Sequence, residues 1–360
     1  MSSKPSDNST NGGEKNTKTI NVENRVEAQE LLDLYLSDRE KEMNGSTERS
    51  HRSRLSFFVE WFQVETDYEY VDEISRTDIL RFKKWRFDDH ATITISTQMD
   101  TLRQLLQWAE RNGLVAEDLH VAAESPDTDD SDDIAHRHVP PQRVKDALDY
   151  LNKYEFGQRQ TVVLALVWET AMRRSSVVAI DLDDWHRDDD DEKGYLTLRN
   201  RPEQGTRLKN GGGGERDVAV RAEIADIIDA WIGGPRPEVK DDYGRDPLIT
   251  TTQGRVSQGC VQTDAYDAIK PTRIGEECSC DPSGNRSCCA NGKSDAYRCE
   301  DSEGPHAVRS TSITHHLNQG WPIQYVSDRA DCSEKVIKKH YDEATQQEQM
   351  ERREDFLDKL

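Results

Sequence analysis

Apolar residues recur at helical spacing through the first third of the chain. Leu55, Phe58, Val59 and Phe62 stand at i, i+3, i+4 and i+7, and Leu102, Leu105, Leu106 and Ala109 repeat that spacing, so both segments read as amphipathic helices. Leu31, Leu34 and Tyr35 predict an earlier helix and Ile79 to Phe87 a further short one, with Asn44-Gly45-Ser46 and Asn112-Gly113 as breakers. Residues 23–120 are therefore expected to form an all-α unit of about four helices. From Val121 to Val139 the chain becomes acidic, with Ser125-Pro126-Asp127-Thr128-Asp129-Asp130-Ser131-Asp132-Asp133 at its centre. Such a run buries no core and reads as a solvated linker, 121–139, between two domains.

The second region opens with a helix on Val144, Ala147, Leu148 and Leu151 and continues into an almost wholly apolar one, Thr161 to Met172, which must be buried. Tyr195 to Arg199 and Arg216 to Val220 read as two short strands of a hairpin whose connection carries Gly211-Gly212-Gly213-Gly214. Helices are expected at 221–232 and 257–269, and two or three more close the chain. Residues 275–304 are rich in Cys and Gly and show no periodicity.

Composition narrows the possible functions. The 360 residues suggest about two domains. No run approaches the roughly 20 consecutive apolar residues of a spanning helix, which argues against a membrane protein. Residues 1–22 lack an apolar signal core and read, like residues 347–360, as a polar tail, so a cytoplasmic protein is expected. Lys and Arg number 48 against 70 Asp and Glu, a formal charge of −22. That excess resembles the surfaces of proteins from extreme halophiles, where a large net charge maintains solubility. It also differs from the basic balance of a generic nucleic-acid binder.

Five cationic, imidazole and phenolic positions carry the candidate chemistry. Arg173 follows the buried helix in Thr170-Ala171-Met172-Arg173-Arg174-Ser175, and Lys209 lies in the hairpin. His306-Ala307-Val308-Arg309 puts an imidazole and a guanidinium on one helix face, and Tyr341 ends the series in Lys339-His340-Tyr341-Asp342. Alone, the His-x-x-Arg spacing says little, since His51 and Arg54 share it. In this order, after an all-α unit, the residues resemble the tyrosine recombinase (phage integrase, Xer-like) family, of a halophilic archaeal type, across roughly residues 25 to 345.

The resemblance implies a mainly α fold, with an all-α, SAM-like core-binding domain (23–120) and a mainly α catalytic domain (140–346) containing a small β-hairpin and the Cys-rich insert. It implies a site-specific recombinase or integrase that acts on double-stranded DNA as a dimer or tetramer, with no cofactor for catalysis. Arg173 and Arg309 would clamp the scissile phosphate, because two guanidinium forks match its non-bridging oxygens. His306 would take the proton of the Tyr341 phenol, and Lys209 would give one to the leaving 5′-oxygen. The product is a 3′-phosphotyrosyl link. Two positions depart from the family pattern. Cys332, with Asp331 beside it, stands where a second His or a Trp is usual, and Ser176 stands where Glu is frequent. The first departure sustains a second reading, a DNA-binding regulator on the same fold that lacks catalysis. A third is a type IB topoisomerase-like relaxing activity.

Of seven Cys, five fall between Cys278 and Cys299, as Cys278-Ser279-Cys280, Cys288-Cys289 and Cys299. A segment so poor in apolar surface reads as one folded by a tetrahedral Zn²⁺, on Cys278, Cys280, Cys288 and Cys299 with Cys289 as alternate. Cys260 and Cys332 read as buried apolar residues, His315 and His316 as structural, and Tyr325 as a packing residue. Candidate DNA contacts are Arg49, Arg52 and Arg54, with Arg81, Lys83, Lys84 and Arg86 as a second patch.

Overall fold

A computed structural model describes residues 25–87, 92–127, 139–187, 192–280, 292–341 and 350. The expected terminal tails, the centre of the acidic linker and Cys288 and Cys289 lie outside the described residues. The chain divides into two compact units, Met1–Ala135 and His136–Leu360.

The first unit holds four helices, α1 (Ala28–Asp38), α2 (Gly45–Glu65), α3 (Arg76–Phe87) and α4 (Thr92–Arg111). The breaker at 44–46 is the N-cap of α2, where the Asn44 side chain accepts from the backbone N–H of Ser46 (3.1 Å) and Thr47 (2.8 Å). The residues picked out by periodicity bury as expected: Leu55, Phe58, Phe62, Leu102, Leu105 and Leu106 are all at most 3% exposed. Leu34 is a correction, since it is 43% exposed while Leu31, Leu32 and Tyr35 carry the buried stripe of α1. The ordered unit also extends further than the sequence suggests. Leu119–Ala122 forms a turn of 3₁₀ helix, and Ala123 is fully buried in the core.

The second unit begins at Val139, buried in its own core, and runs through α5 (Pro141–Tyr154), α6 (Arg159–Thr170) and α7 (Arg174–Ala179). Helix α6 is the central one: every residue from Gln160 to Thr170 is buried, which explains its nearly unbroken apolar sequence. It stops at Ala171, held at φ 51°, whose N–H donates to the Val167 carbonyl. The sheet has three antiparallel strands in the order β1 (Trp185–His186), β2 (Gly194–Leu198), β3 (Arg216–Val220), with Leu196 opposite Val218. Strands β2 and β3 are the expected hairpin. The two-residue β1 carries too little pattern to be read, and Gly194 accommodates it, because a Cβ there would meet the Trp185 ring at 2.2 Å.

Helix α8 (Ala222–Ile232), a two-stranded ribbon of β4 (Thr250–Thr251) and β5 (Gly254–Arg255), and α9 (Gln258–Ala268) follow. Three helices close the described chain: α10 (Pro305–Asn318), α11 (Ile323–Ala330) and α12 (Glu334–His340). No helix among the described residues is long and apolar enough to cross a membrane.

A buried ion network fixes the far end of α7. Asp241, 7% exposed at its side chain, accepts from the Nη2 atoms of Arg245 and Arg255, both at 2.8 Å. Arg255 also donates to the carbonyl of Val178 at 2.7 Å. Burial alone would raise the Asp241 pKa, but the bond from Arg255 and those from the backbone N–H groups of Arg245 and Tyr243 outweigh it and pull it down to about 2. A carboxylate depressed in the folded state stabilises it above the ordinary value of 3.8, and that contribution disappears as pH falls toward 2. Asp241→Asn is therefore expected to lower the unfolding free energy at neutral pH by about 1–2 kcal/mol, because Arg245 and Arg255 lose one carboxylate while Asp181 still pairs with both. Urea unfolding at a series of pH values checks this. The difference between parent and variant should close as pH falls below the ordinary carboxylate range.

Candidate active site

The candidate residues lie on four segments of the second unit: the start of α7, the connection between β2 and β3, α10 and the end of α12. Arg173 is the N-cap residue of α7, in extended conformation (φ −73°, ψ 152°), so its side chain leaves the helix at the break after α6. Arg309 sits on the second turn of α10, 2% exposed, and its Nη1 donates to the carbonyls of Ala171 and Ala330, the latter at 2.8 Å. One nitrogen thus ties together the C-terminal ends of α6 and α11. Burial first, then the charge of Arg173, holds the Arg309 pKa below the ordinary guanidinium value. Tyr341, Cys332 and Asp331 oppose that shift.

Tyr341 is the C-cap of α12 and is 8% exposed. Its ring belongs to a cluster of Ala171, Ile313, Leu317, Val326, Ala330, Cys332 and Ile337, and its carbonyl accepts from Thr314 Oγ1 at 3.1 Å. Tyr325 is 60% exposed, which corrects its reading as a packing residue. His315 and His316 are structural as expected: His315 stacks on Trp168 with centroids 5.0 Å apart, and His316 Nδ1 bonds the Ser312 carbonyl at 2.7 Å.

His306 follows Pro305 in the first turn of α10, exposed at the rim of the site. Loss of water from part of the ring comes first in lowering its pKa, and the charges of Arg309, Arg173 and Arg174 add to it. The neutral imidazole therefore persists below the ordinary value of 6.5. Lys209 lies on the connection between β2 and β3, exposed, and no hydrogen bond or ion pair joins it to another described residue. The structure does not bring its ammonium into contact with the other four. Its neighbour Asn210 makes the link instead, through Asp331.

Asp331 is the residue that spacing alone misplaces. It caps α11 in left-handed conformation (φ 53°, ψ 54°), which aims its carboxylate at the cations while Cys332 turns into the apolar cluster. Asp331 Oδ2 accepts from Arg173 Nη1 at 2.7 Å, and Oδ1 accepts from Asn210 Nδ2 at 2.7 Å. A third guanidinium, Arg216 at the start of β3, escapes the sequence reading because it looks like an ordinary strand residue. It donates to the carbonyls of Arg329 (3.1 Å) and Gly214 (2.8 Å), and its buried Nη2 has no partner among the described residues. Burial, together with Arg309, Arg173 and Arg329, brings its pKa down to about 10 against the pull of Asp331. It still stays charged at neutral pH.

The Cys-rich insert leads directly into α10. Cys278 and Cys299 are buried, and their sulfurs lie 3.2 Å apart, with Cys280 2.7 Å from the first and 3.9 Å from the second. Tetrahedral Zn²⁺ with bonds of about 2.3 Å places its sulfurs about 3.8 Å apart, so the triad offers three ligands after a shift of about 1 Å at Cys278. Asp301 accepts from the Ser279 N–H and the Cys278 thiol, which suits an outer partner of such a site. The donor set fits a soft divalent ion. Cys260 is half-buried, a correction, and Cys332 is buried as expected.

The candidate DNA contacts belong to the first unit. Arg49 donates to the carbonyl of Gly45 (3.0 Å), Arg52 pairs with Asp33 (2.9 Å) and Glu48 (3.5 Å), and Arg54 reaches Thr101 (3.3 Å). Lys83 donates to the Glu124 carbonyl (2.9 Å), Arg81 pairs with Asp78 (2.8 Å), and Lys84 is exposed. Arg86 is a correction: it is buried, bonded to Gln98 and lying 4.0 Å over the Phe57 ring, so it packs rather than faces a polyanion.

No family model matches the chain. A tyrosine recombinase XerD from Oceanobacillus iheyensis is 24% identical over 152 residues, which cover 41% of this chain and 49% of that protein. The chain thus matches about half the length of that curated relative. Several solved structures share its fold. A Tn1549 transposon integrase in complex with a circular intermediate DNA has a TM-score of 0.61 at 12% identity, covering 92% of this chain and 99% of that one. A lambda integrase tetramer bound to a Holliday junction has a TM-score of 0.60 at 13% identity, covering 94% and 85%. XerH recombinase bound to its difH substrate has a TM-score of 0.57 at 12% identity, covering 91% and 84%.

The lowered His306 pKa has a kinetic signature. If this imidazole accepts the phenolic proton, the acid limb of the reaction on the free protein should have its midpoint below 6.5, and His306→Gln should remove that limb. Single-turnover rates from pH 5 to 8 at subsaturating DNA check it.

Proposed function

We infer that the chain belongs to the tyrosine recombinase and phage integrase family and breaks and rejoins DNA strands through a 3′-phosphotyrosyl intermediate. The observation that carries this reading is that Arg309 bonds the carbonyls of Ala171 and Ala330, two residues before Arg173 and next to its partner Asp331, while Tyr341 packs in one cluster with the same two alanines. The shared fold and the recombinase relative point the same way.

In the step proposed, the Tyr341 Oη forms a bond to phosphorus as the bond from phosphorus to the 5′-oxygen breaks. The phenolic proton passes to His306. The Lys209 ammonium protonates the departing 5′-oxygen, and Arg173 and Arg309 hold the non-bridging oxygens, whose negative charge grows toward the transition state. A phenol of ordinary pKa near 10 needs that base at neutral pH. The phosphate ester energy is kept in the tyrosyl link, so attack by a 5′-hydroxyl reverses the step without ATP, and tyrosine recombinases need no catalytic cofactor.

Arg49, Arg52, Arg54, Lys83 and Lys84 are proposed to grip the DNA backbone from the helical unit. The ion pairs of Arg52 are no obstacle, since exposed pairs are worth about 0–1 kcal/mol and exchange readily for phosphate. The charge of −22 suits a halophilic cytoplasm. In molar salt the counterion-release contribution to binding nearly vanishes and specific phosphate contacts and DNA shape must carry affinity. Two or four copies are proposed to act on paired sites. In the insert, Zn²⁺ on Cys278, Cys280, Cys299 and Cys288 or Cys289 is proposed to brace the entry to α10 and so the placement of His306 and Arg309.

Cys332, buried among apolar residues at the place of a family hydrogen-bond donor, favours the rival reading of a DNA-binding regulator without catalysis. Incubation with a nicked suicide substrate in molar KCl, followed by a denaturing gel, separates the two. The enzyme reading expects a covalent adduct, its loss in Tyr341→Phe, and a rate about 100-fold or more lower in Arg309→Lys, which keeps the charge but not the fork. A parent that binds its site without forming an adduct would leave the regulator. Metal removal checks the insert. Elemental analysis should find about one zinc per chain, and chelation should lower the melting temperature and slow adduct formation together.

A further inference from the structure

The connection between β2 and β3 is anchored as far as Leu208, which is buried and donates its N–H to the Asn200 side chain at 2.9 Å, but beyond Lys209 it has little of its own to hold it. Gly211, Gly212 and Gly213 have no neighbour within 4 Å of where a Cβ would stand, and Gly211 has φ 58°. Four consecutive glycines leave a chain of high conformational entropy, so on that side the placement of Lys209 depends on contacts at the ends of the glycine run. One of these ends is Arg216, which accounts for Gly214. The other is Asp331, whose Oδ1 accepts from Asn210 and whose Oδ2 would lie 3.2 Å from a Cβ on Gly214. The same carboxylate holds Arg173.

We propose that Asp331 is a positioning residue that latches the loop carrying Lys209 onto the Arg173 clamp, setting the proton donor for the leaving 5′-oxygen against the phosphate. This rests on the strand-transfer reading above. The carboxylate has one oxygen for each partner, and the left-handed cap of α11 supplies the direction, a conformation that Asp and Asn both tolerate. Asp331→Asn therefore keeps the backbone and an acceptor for Arg173. Asn210→Asp sets two carboxylates, neither with a proton to share, against each other and the latch opens. Adding Asp331→Asn, whose amide presents N–H to the loop, closes it again with the bond reversed.

The test compares adduct formation on ordinary DNA with that on DNA carrying a 5′-bridging sulfur at the scissile position. A thiolate leaves without a proton, so sulfur removes the need for Lys209. Asn210→Asp, like Lys209→Ala, should slow the reaction about 10-fold or more relative to the sulfur substrate, within the range of general acid catalysis. The double variant Asn210→Asp with Asp331→Asn should recover most of the loss. A defect equal on both substrates would overturn the latch and leave Asp331 as a support for Arg173 alone. Amide hydrogen exchange across Asn210–Gly214 judges the latch even if the parent forms no adduct. Exchange about 10-fold faster in Asn210→Asp, reversed in the double variant, supports it, and unchanged exchange overturns it.

Discussion

Guanidiniums repel one another, and this fold crowds three of them, Arg173, Arg216 and Arg309, around one carboxylate. Each buried charge of the set raises the free energy of the others. The lowered pKa of Arg309 and the value of about 10 at Arg216 express burial first and that repulsion in addition. Asp331 relieves part of it through its 2.7 Å bond to Arg173. On the proposed function, a phosphodiester, and still more the doubly charged species formed under attack, would relieve the rest, and the pocket would favour the transition state over the empty site. The chain as a whole carries −22, so the positive charge of the site is local and is made by placement rather than by composition.

Placement depends on the ends of helices. Arg173 is where it is because α6 stops at a left-handed Ala171 and α7 starts three residues later. Asp331 faces the cations because α11 ends the same way. Arg309 bonds the carbonyls at both of these stops, so the residue that clamps also sets the geometry of the clamp. Around it, Glu169 takes the charges of Arg221 and Arg329, and Asp241 fixes the other end of α7 through Arg255. The networks are adjacent to the site and none of them competes for Arg173.

Much of the fold was legible because it is written in periodicity. The stripe at Leu55, Phe58, Val59 and Phe62, the unbroken apolar run of α6 and the alternation in β3 each have one physical reading, and the structure follows them. Leu34 shows the limit, since a third apolar residue at near-helical spacing says nothing about which edge of the stripe reaches solvent. Arg86 shows another. A guanidinium in a basic run can lie flat on an aromatic ring, and sequence does not separate that from a phosphate contact. Within the site, order along the chain singled out Arg173, His306, Arg309 and Tyr341. At the departure from the family pattern the sequence sets Asp331 beside Cys332, and which of the two neighbours points inward is decided by a left-handed turn that leaves no mark in spacing. Asn210 and Arg216 were unreadable for a related reason: their partners come from over a hundred residues away.

The most direct test is a structure of the protein with orthovanadate and two DNA fragments that meet at the scissile position, so that vanadium takes the place of phosphorus. The account expects a pentavalent vanadate bonded to the Tyr341 oxygen, with Arg173 and Arg309 on its equatorial oxygens and the 5′-oxygen opposite the phenol. Vanadate seated away from Tyr341, or bound there with neither arginine in contact, would contradict it.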